Sequence, residues 1–123
     1  MKIKDFQNMT VSQLVNQFAT FALEQYKAEL YGEIARYNRL YDEIVAVKDE
    51  LKGRAGDQRS ALVSLFAHQN PQVRLKAAQW SLAVVPAAAR QVLQDISDRN
   101  EYPQAAYARQ SLMALDRGDS KLI

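Results

Sequence analysis

Apolar and polar positions recur along the chain at helical spacing, and nowhere do they alternate over a strand's length. Val11, Leu14, Val15, Phe18, Phe21, Ala22 and Tyr26 fall within one ~140° arc at 3.6 residues per turn, with Asn16, Gln17 and Thr20 opposite. Thr10 stands just before this stripe and Gln13 three residues later, the spacing of a capping box, so a first helix is expected to start after Thr10. Gly32 is either the end of that helix or a kink within a continuous one. A second helix over 33–52 has an expected apolar stripe of Ile34, Tyr37, Tyr41, Ile44, Val45 and the stem of Lys48. Its expected solvent face is Arg36, Arg39, Asp42, Glu43, Asp49 and Glu50.

Beyond Gly53 and Gly56 the helices become short. Asp57 is placed to cap a helix over 58–68 whose apolar residues, Ala61, Leu62, Val63, Leu65, Phe66 and Ala67, cover most of its circumference. Proline then appears as Asn70-Pro71, Val85-Pro86 and Tyr102-Pro103. Proline suits the first helical position because that N–H has no intrahelical partner, so helices are expected to begin near 71, 86 and 103. Four short helices make two pairs, and Pro71-Gln72-Val73 recurs 32 residues later as Pro103-Gln104-Ala105. Leu62 and Leu65 recur 31 residues later as Leu93 and Ile96. Internal periods of this length mark stacked repeats. The expectation is one all-helical domain over 1–123 with about six helices: two longer ones in 1–56 and two degenerate helix pairs in 57–117.

Composition narrows the class. The chain has 123 residues with 48% hydrophobic positions, 16 basic and 14 acidic side chains, and no cysteine. Disorder, collagen-like repeats, a disulfide scaffold and thiolate metal sites are excluded. Met1 to Phe6 has no apolar core of a secretory signal, and the longest apolar run, residues 82–89, is far short of the ~20 residues that span a bilayer. A cytoplasmic protein is expected.

Residues 70–82, Asn-Pro-Gln-Val-Arg-Leu-Lys-Ala-Ala-Gln-Trp-Ser-Leu, resemble the second helix of a HEAT-like repeat: a proline at the turn (Pro71), Val-Arg, a pair of alanines, then a leucine. Ala77 and Ala78 are small enough to let a neighbouring helix approach closely. Val73, Ala77, Trp80 and Val84 form the expected packing stripe. Arg74 falls within the apolar sector, where a guanidinium cannot be left unpaired. The resemblance implies that Arg74 bonds a carboxylate or carbonyl of an adjacent repeat; Asp57, Asp49 and Asp42 are its candidate partners. The second copy departs from the pattern, with Ala106 and Arg109-Gln110 at the corresponding places, as a capping repeat does. The whole chain also resembles a family of small bacterial proteins with a domain of unknown function, through the first amphipathic helix, Tyr37-Asn38-Arg39-Leu40-Tyr41 and the Val73-Arg74 helix. That resemblance implies an armadillo-type α–α superhelix and no activity.

The chemistry-bearing residues are few. His68, the only histidine, stands four residues after Ser64 without a glycine-rich nucleophile turn, and is read as a helix-end histidine. Asp42-Glu43 and Asp49-Glu50 read as a solvated face rather than a cation site. No phosphate loop, cofactor motif or metal set is present. Tyr26, Tyr31, Tyr37 and Tyr41 are either core rim or an aromatic contact patch. Trp80 is read as core, and Asn38 as bonding the helix connection or lining a pocket.

A non-enzymatic protein-interaction or regulatory module is therefore expected, with a groove lined by the second helix of each pair through Lys76, Gln79 and Ala83, then Tyr107, Gln110 and Ser111. An immunity-type subunit neutralising one partner falls in the same class. Nucleic-acid binding is the alternative, carried by Arg74, Lys76, Arg90, Arg99 and Arg109, which lie on different faces. No cofactor and no membrane contact are expected, and a homodimer through the first helix remains open.

Overall fold

The computed structural model describes residues 5–118. Residues 1–4, on which most of the signal-peptide expectation rests, lie outside the described residues. Every regular element among the described residues is helical: a 3-10 turn at Phe6–Asn8, α1 (Val11–Leu30), α2 (Ile34–Gly53), a 3-10 helix at Gln58–Leu65, α3 (Pro71–Ser81), α4 (Pro86–Asp98) and α5 (Gln104–Arg117). The chain divides into two compact units between Ala61 and Leu62.

In the first unit α1 and α2 form a helical hairpin. The capping box is made: Gln13 N–H donates to Thr10 Oγ1 (3.1 Å) and Thr10 N–H to Gln13 Oε1 (2.8 Å). Leu14, Val15, Phe18, Phe21, Ala22 and Ala28 are buried along one face, with Gln25 fully enclosed and its Nε2 donating to the Tyr37 carbonyl at 3.3 Å. Gly32 ends α1 rather than kinking it. Its φ of +68° allows Glu33 N–H to reach the Ala28 carbonyl (2.8 Å) and Gly32 N–H that of Glu29 (3.2 Å), a Schellman closure. The Arg54 side chain holds the N-terminal turn, donating to the carbonyls of Phe6 (3.1 Å) and Met9 (2.8 Å) and to Glu50 Oε2 (2.7 Å). Phe6 meets Phe21 edge to face at 6.5 Å.

The buried stripe of α2 differs from the expected one. It is Leu40, Ile44, Val47, Lys48 and Leu51, whereas Ile34 is 74% and Tyr41 39% exposed, and Tyr37 and Val45 are half-buried. At 100° per residue the true face is turned by about 65° from the expected one. The expected arc gave weight to Ile34, the first residue of α2, and to two tyrosines that lie off the buried face. Arg39, Asp42 and Asp49 are exposed as expected, while Arg36 is half-buried and tied to Glu24 (2.8 Å) and Glu33 (3.3 Å).

The element at Gln58–Leu65 is 3-10, not the α-helix over 58–68 that the apolar residues suggested. Arg59, Leu62 and Leu65 are its buried residues, spaced by three, the period of a 3-10 helix. Val63 is 41% exposed, so the element is one-sided.

In the second unit α4 packs against both α3 and α5. Asn70 caps α3, accepting from Gln72 N–H (2.9 Å) and Val73 N–H (3.3 Å), with Pro71 as first residue. Every residue from Gln72 to Ala78 is buried. Pro86 opens α4 as expected, but Pro103 is the cap of α5 and Gln104 its first residue. Leu75, Ala78, Leu82, Ala89, Leu93, Ile96, Ala108 and Leu112 make the core, with Tyr107 packed at its edge. Val84 lies beyond the end of α3.

Candidate functional site

Arg74 is 7% exposed and is enclosed by hydrogen bonds. Its Nε donates to the His68 carbonyl (2.7 Å) and Nη2 to that of Gln69 (3.2 Å), both in the turn before its own helix. Its two terminal nitrogens donate in parallel to Glu101 Oε1 and Oε2 at 2.7 Å each. The partner is thus a carboxylate of the turn before α5, not Asp57, Asp49 or Asp42. Asp57 instead pairs with Arg59, at 2.8 and 2.6 Å. The Arg74 fork holds the Glu101 carboxyl below its ordinary range, against the opposing pull of burial, and Glu101 raises Arg74.

The 32-residue offset is realised as contact. Gln104 Nε2 donates to Gln72 Oε1 at 3.0 Å, with both residues fully buried, and Gln79 Nε2 donates to Ser111 Oγ at 3.0 Å. Each pair joins α3 to α5 at positions 32 apart.

The expected groove lining is redistributed by these contacts. Lys76 is buried at 7% exposure, Gln79 is turned onto Ser111, and Tyr107 packs on the core; of the expected interaction residues only Gln110 is exposed. Arg74, Ala77 and Ala78 are buried.

The sequence reading did not single out Arg109 as a structural group. Its Nε donates to Ser97 Oγ (2.9 Å), its Nη2 to the Ser97 carbonyl and Asn100 Oδ1 (2.8 Å each), and its Nη1 to the Tyr102 hydroxyl, while Cζ lies 5.3 Å from the Tyr102 ring centroid. The signal was present: Arg109 follows the position equivalent to Arg74 by three residues, one turn along the same face.

His68 Nδ1 accepts from Asn70 N–H at 3.0 Å, which makes it part of the α3 cap, and Ser64 is exposed. No group of three or more His, Asp or Glu among the described residues is arranged to hold a metal. A depression of about 410 Å³ is lined by Arg36, Arg39, Leu40, Asp42 and Glu43, all on α2, and is open along one side of that helix. Asn38 and Tyr31 are exposed, Tyr26 is half-buried and Trp80 is half-buried, so the four tyrosines form no common core. No helix among the described residues is long and apolar enough to cross a membrane.

An all-helical protein whose polar side chains are engaged with one another, rather than aimed into a cleft, is the class these residues define. The chain belongs to the family described as Domain of unknown function (DUF2019), whose model matches residues 12–116. It is similar, at 45% identity, to the protein RPA1889 from Rhodopseudomonas palustris CGA009, whose crystal structure superposes with a TM-score of 0.93 over 97% of this chain and 98% of that one. No curated protein matches.

Proposed function

We propose that the protein is a non-enzymatic interaction module, and that α3 to α5 are successive parts of a degenerate HEAT-like α–α superhelix. The observation that carries this reading is the pairing of Gln72 with Gln104 and of Gln79 with Ser111, since side-by-side contact of equivalent positions is how stacked repeats bury their faces. The Arg74–Glu101 pair between the turns before α3 and α5 supports the same reading. Among the described residues no helix follows α5, and its outer face is the surface we assign to a partner protein. On α5 that face includes Ala106, Gln110 and Met113, the last 54% exposed.

Affinity capture from the native host, followed by reconstitution with the purified partner, tests this. A specific protein complex weakened at least ~10-fold by Met113→Glu is expected, because a carboxylate buried at an apolar contact costs more than its packing returns. Binding unchanged by Met113→Glu and Gln110→Arg together removes this face, and turnover of a small molecule by the purified chain removes the class.

A further inference from the structure

The two guanidinium sites of the second unit are alike on one side and different on the other. Arg74 and Arg109 each donate to backbone carbonyls, Arg74 to His68 and Gln69 in the turn before its own helix and Arg109 to Ser97 in the last turn of α4. Arg74 is then neutralised by Glu101, from the turn that leads into α5. Among the described residues no further helix follows α5, and the acceptors of Arg109 are neutral: the Ser97 hydroxyl and carbonyl, the Asn100 amide oxygen and the Tyr102 hydroxyl.

A guanidinium carries five N–H groups, and these contacts use four, leaving one on Nη1 beside the exposed Tyr102 ring. Among the described residues no carboxylate of α4, α5 or the turn between them hydrogen-bonds Arg109. Glu101 is held by Arg74, Asp98 accepts from Gln94 Nε2 at 2.9 Å, and Asp116 accepts from Arg90 at 2.6 Å. The exposed face of α5 at Ala106, Gln110 and Met113 is neutral, as is the exposed Tyr102. A guanidinium held in a fixed orientation by neutral acceptors is suited to receive a carboxylate, because its ordering is already largely accomplished.

We propose that Arg109, with Tyr102, receives an acidic side chain presented on a turn of a partner protein through its remaining Nη1 N–H. This rests on the interaction reading above and names the chemistry of what binds there. A blocked hexapeptide with the sequence of residues 98–103 is a suitable probe, since that turn is what closes Arg74. Titrated into the intact 15N-labelled protein, it is expected to move the Arg109 Nε–H resonance, assigned by its loss in Arg109→Lys. The peptide carrying Glu101→Gln is expected to bind at least ~10-fold more weakly, and ~1 M salt to abolish the shift. No movement of that resonance at several millimolar peptide, or equal movement with the glutamine peptide, overturns the proposal. The wild-type titration requires no destabilised variant. A reconstituted partner that binds Arg109→Lys as tightly as wild type, with both proteins folded by circular dichroism, overturns the carboxylate contact and leaves the interaction function standing. Glutamate-dependent peptide binding without any protein partner supports the site and removes the function.

Discussion

Arg74 combines a permanent charge with 9% side-chain exposure, and only the completeness of its partners makes that tolerable. Two carbonyls and a two-pronged carboxylate replace the water it gives up. Arg74→Ala is expected to lower unfolding stability by about 3–5 kcal/mol, because it strands Glu101 and two carbonyls at once. Glu101→Gln keeps an acceptor and is expected to cost less, about 1–3 kcal/mol. Chemical denaturation of both single variants and the double variant measures the coupling. The same pair sets an acid limit. Its carboxyl is held below the ordinary value, so its contribution is fully present above the carboxylate range of the unfolded chain, near pH 4.3. It is lost as pH falls through the lower folded value. Asp57, lowered by Arg59, acts in the same direction. The raised arginines add no alkaline counterpart, since they stay protonated throughout. Stability measured from pH 6 to pH 2 is expected to fall less steeply in Glu101→Gln than in wild type; parallel curves would mean that the pair does not contribute.

At the scale of the element, α2 tests the corrected face. Ile44 is fully buried and Ile34 is 74% exposed, although the sequence assigned both to one stripe. Ile44→Ala is expected to cost about 2–5 kcal/mol, while Ile34→Gln stays within about 0.5 kcal/mol, as read from thermal or urea melts. The turn before α2 has its own test. Gly32→Ala meets no neighbour, yet places a side chain at φ +68°, for an expected loss of about 1 kcal/mol. The pattern of success in reading the elements follows from what decides each one. Local chemistry was legible: the Thr10–Gln13 box, the Asn70 cap and Pro86 at a helix start depend on neighbours within a few residues. The rotation of α2 and the 3-10 form of Gln58–Leu65 depend on what packs against them, and a single apolar arc cannot show that. The interaction residues suffered most. Lys76 and Gln79 sit on a helix that is enclosed on all sides, and polarity alone placed them at the surface.

At the scale of the whole molecule, charge decides between partner classes. The excess of two basic groups understates how little is offered to phosphate, because most of the arginines are engaged internally. Arg36, Arg54, Arg59, Arg74 and Arg90 donate to carboxylates within the chain, and Arg109 to neutral acceptors. Lys48 is buried and bonded to Asp49 at 2.6 Å, and Lys76 is buried. A nucleic-acid surface needs several mobile cations converging on one track, each releasing a counterion when it meets a phosphate. Here a phosphate would have to displace an existing carboxylate at most of these positions, which cancels the gain. Retention on a duplex-DNA column is therefore expected to be absent at about 150 mM salt. The slope of log affinity against log salt is expected to be no steeper than about −2. A slope near −5 would mean that these arginines exchange their internal partners for phosphates, and it would return nucleic acid to the front of the functional classes. A flat salt dependence leaves recognition to the few groups that the fold keeps oriented but unneutralised, which are suited to one complementary protein surface rather than to a polyanion.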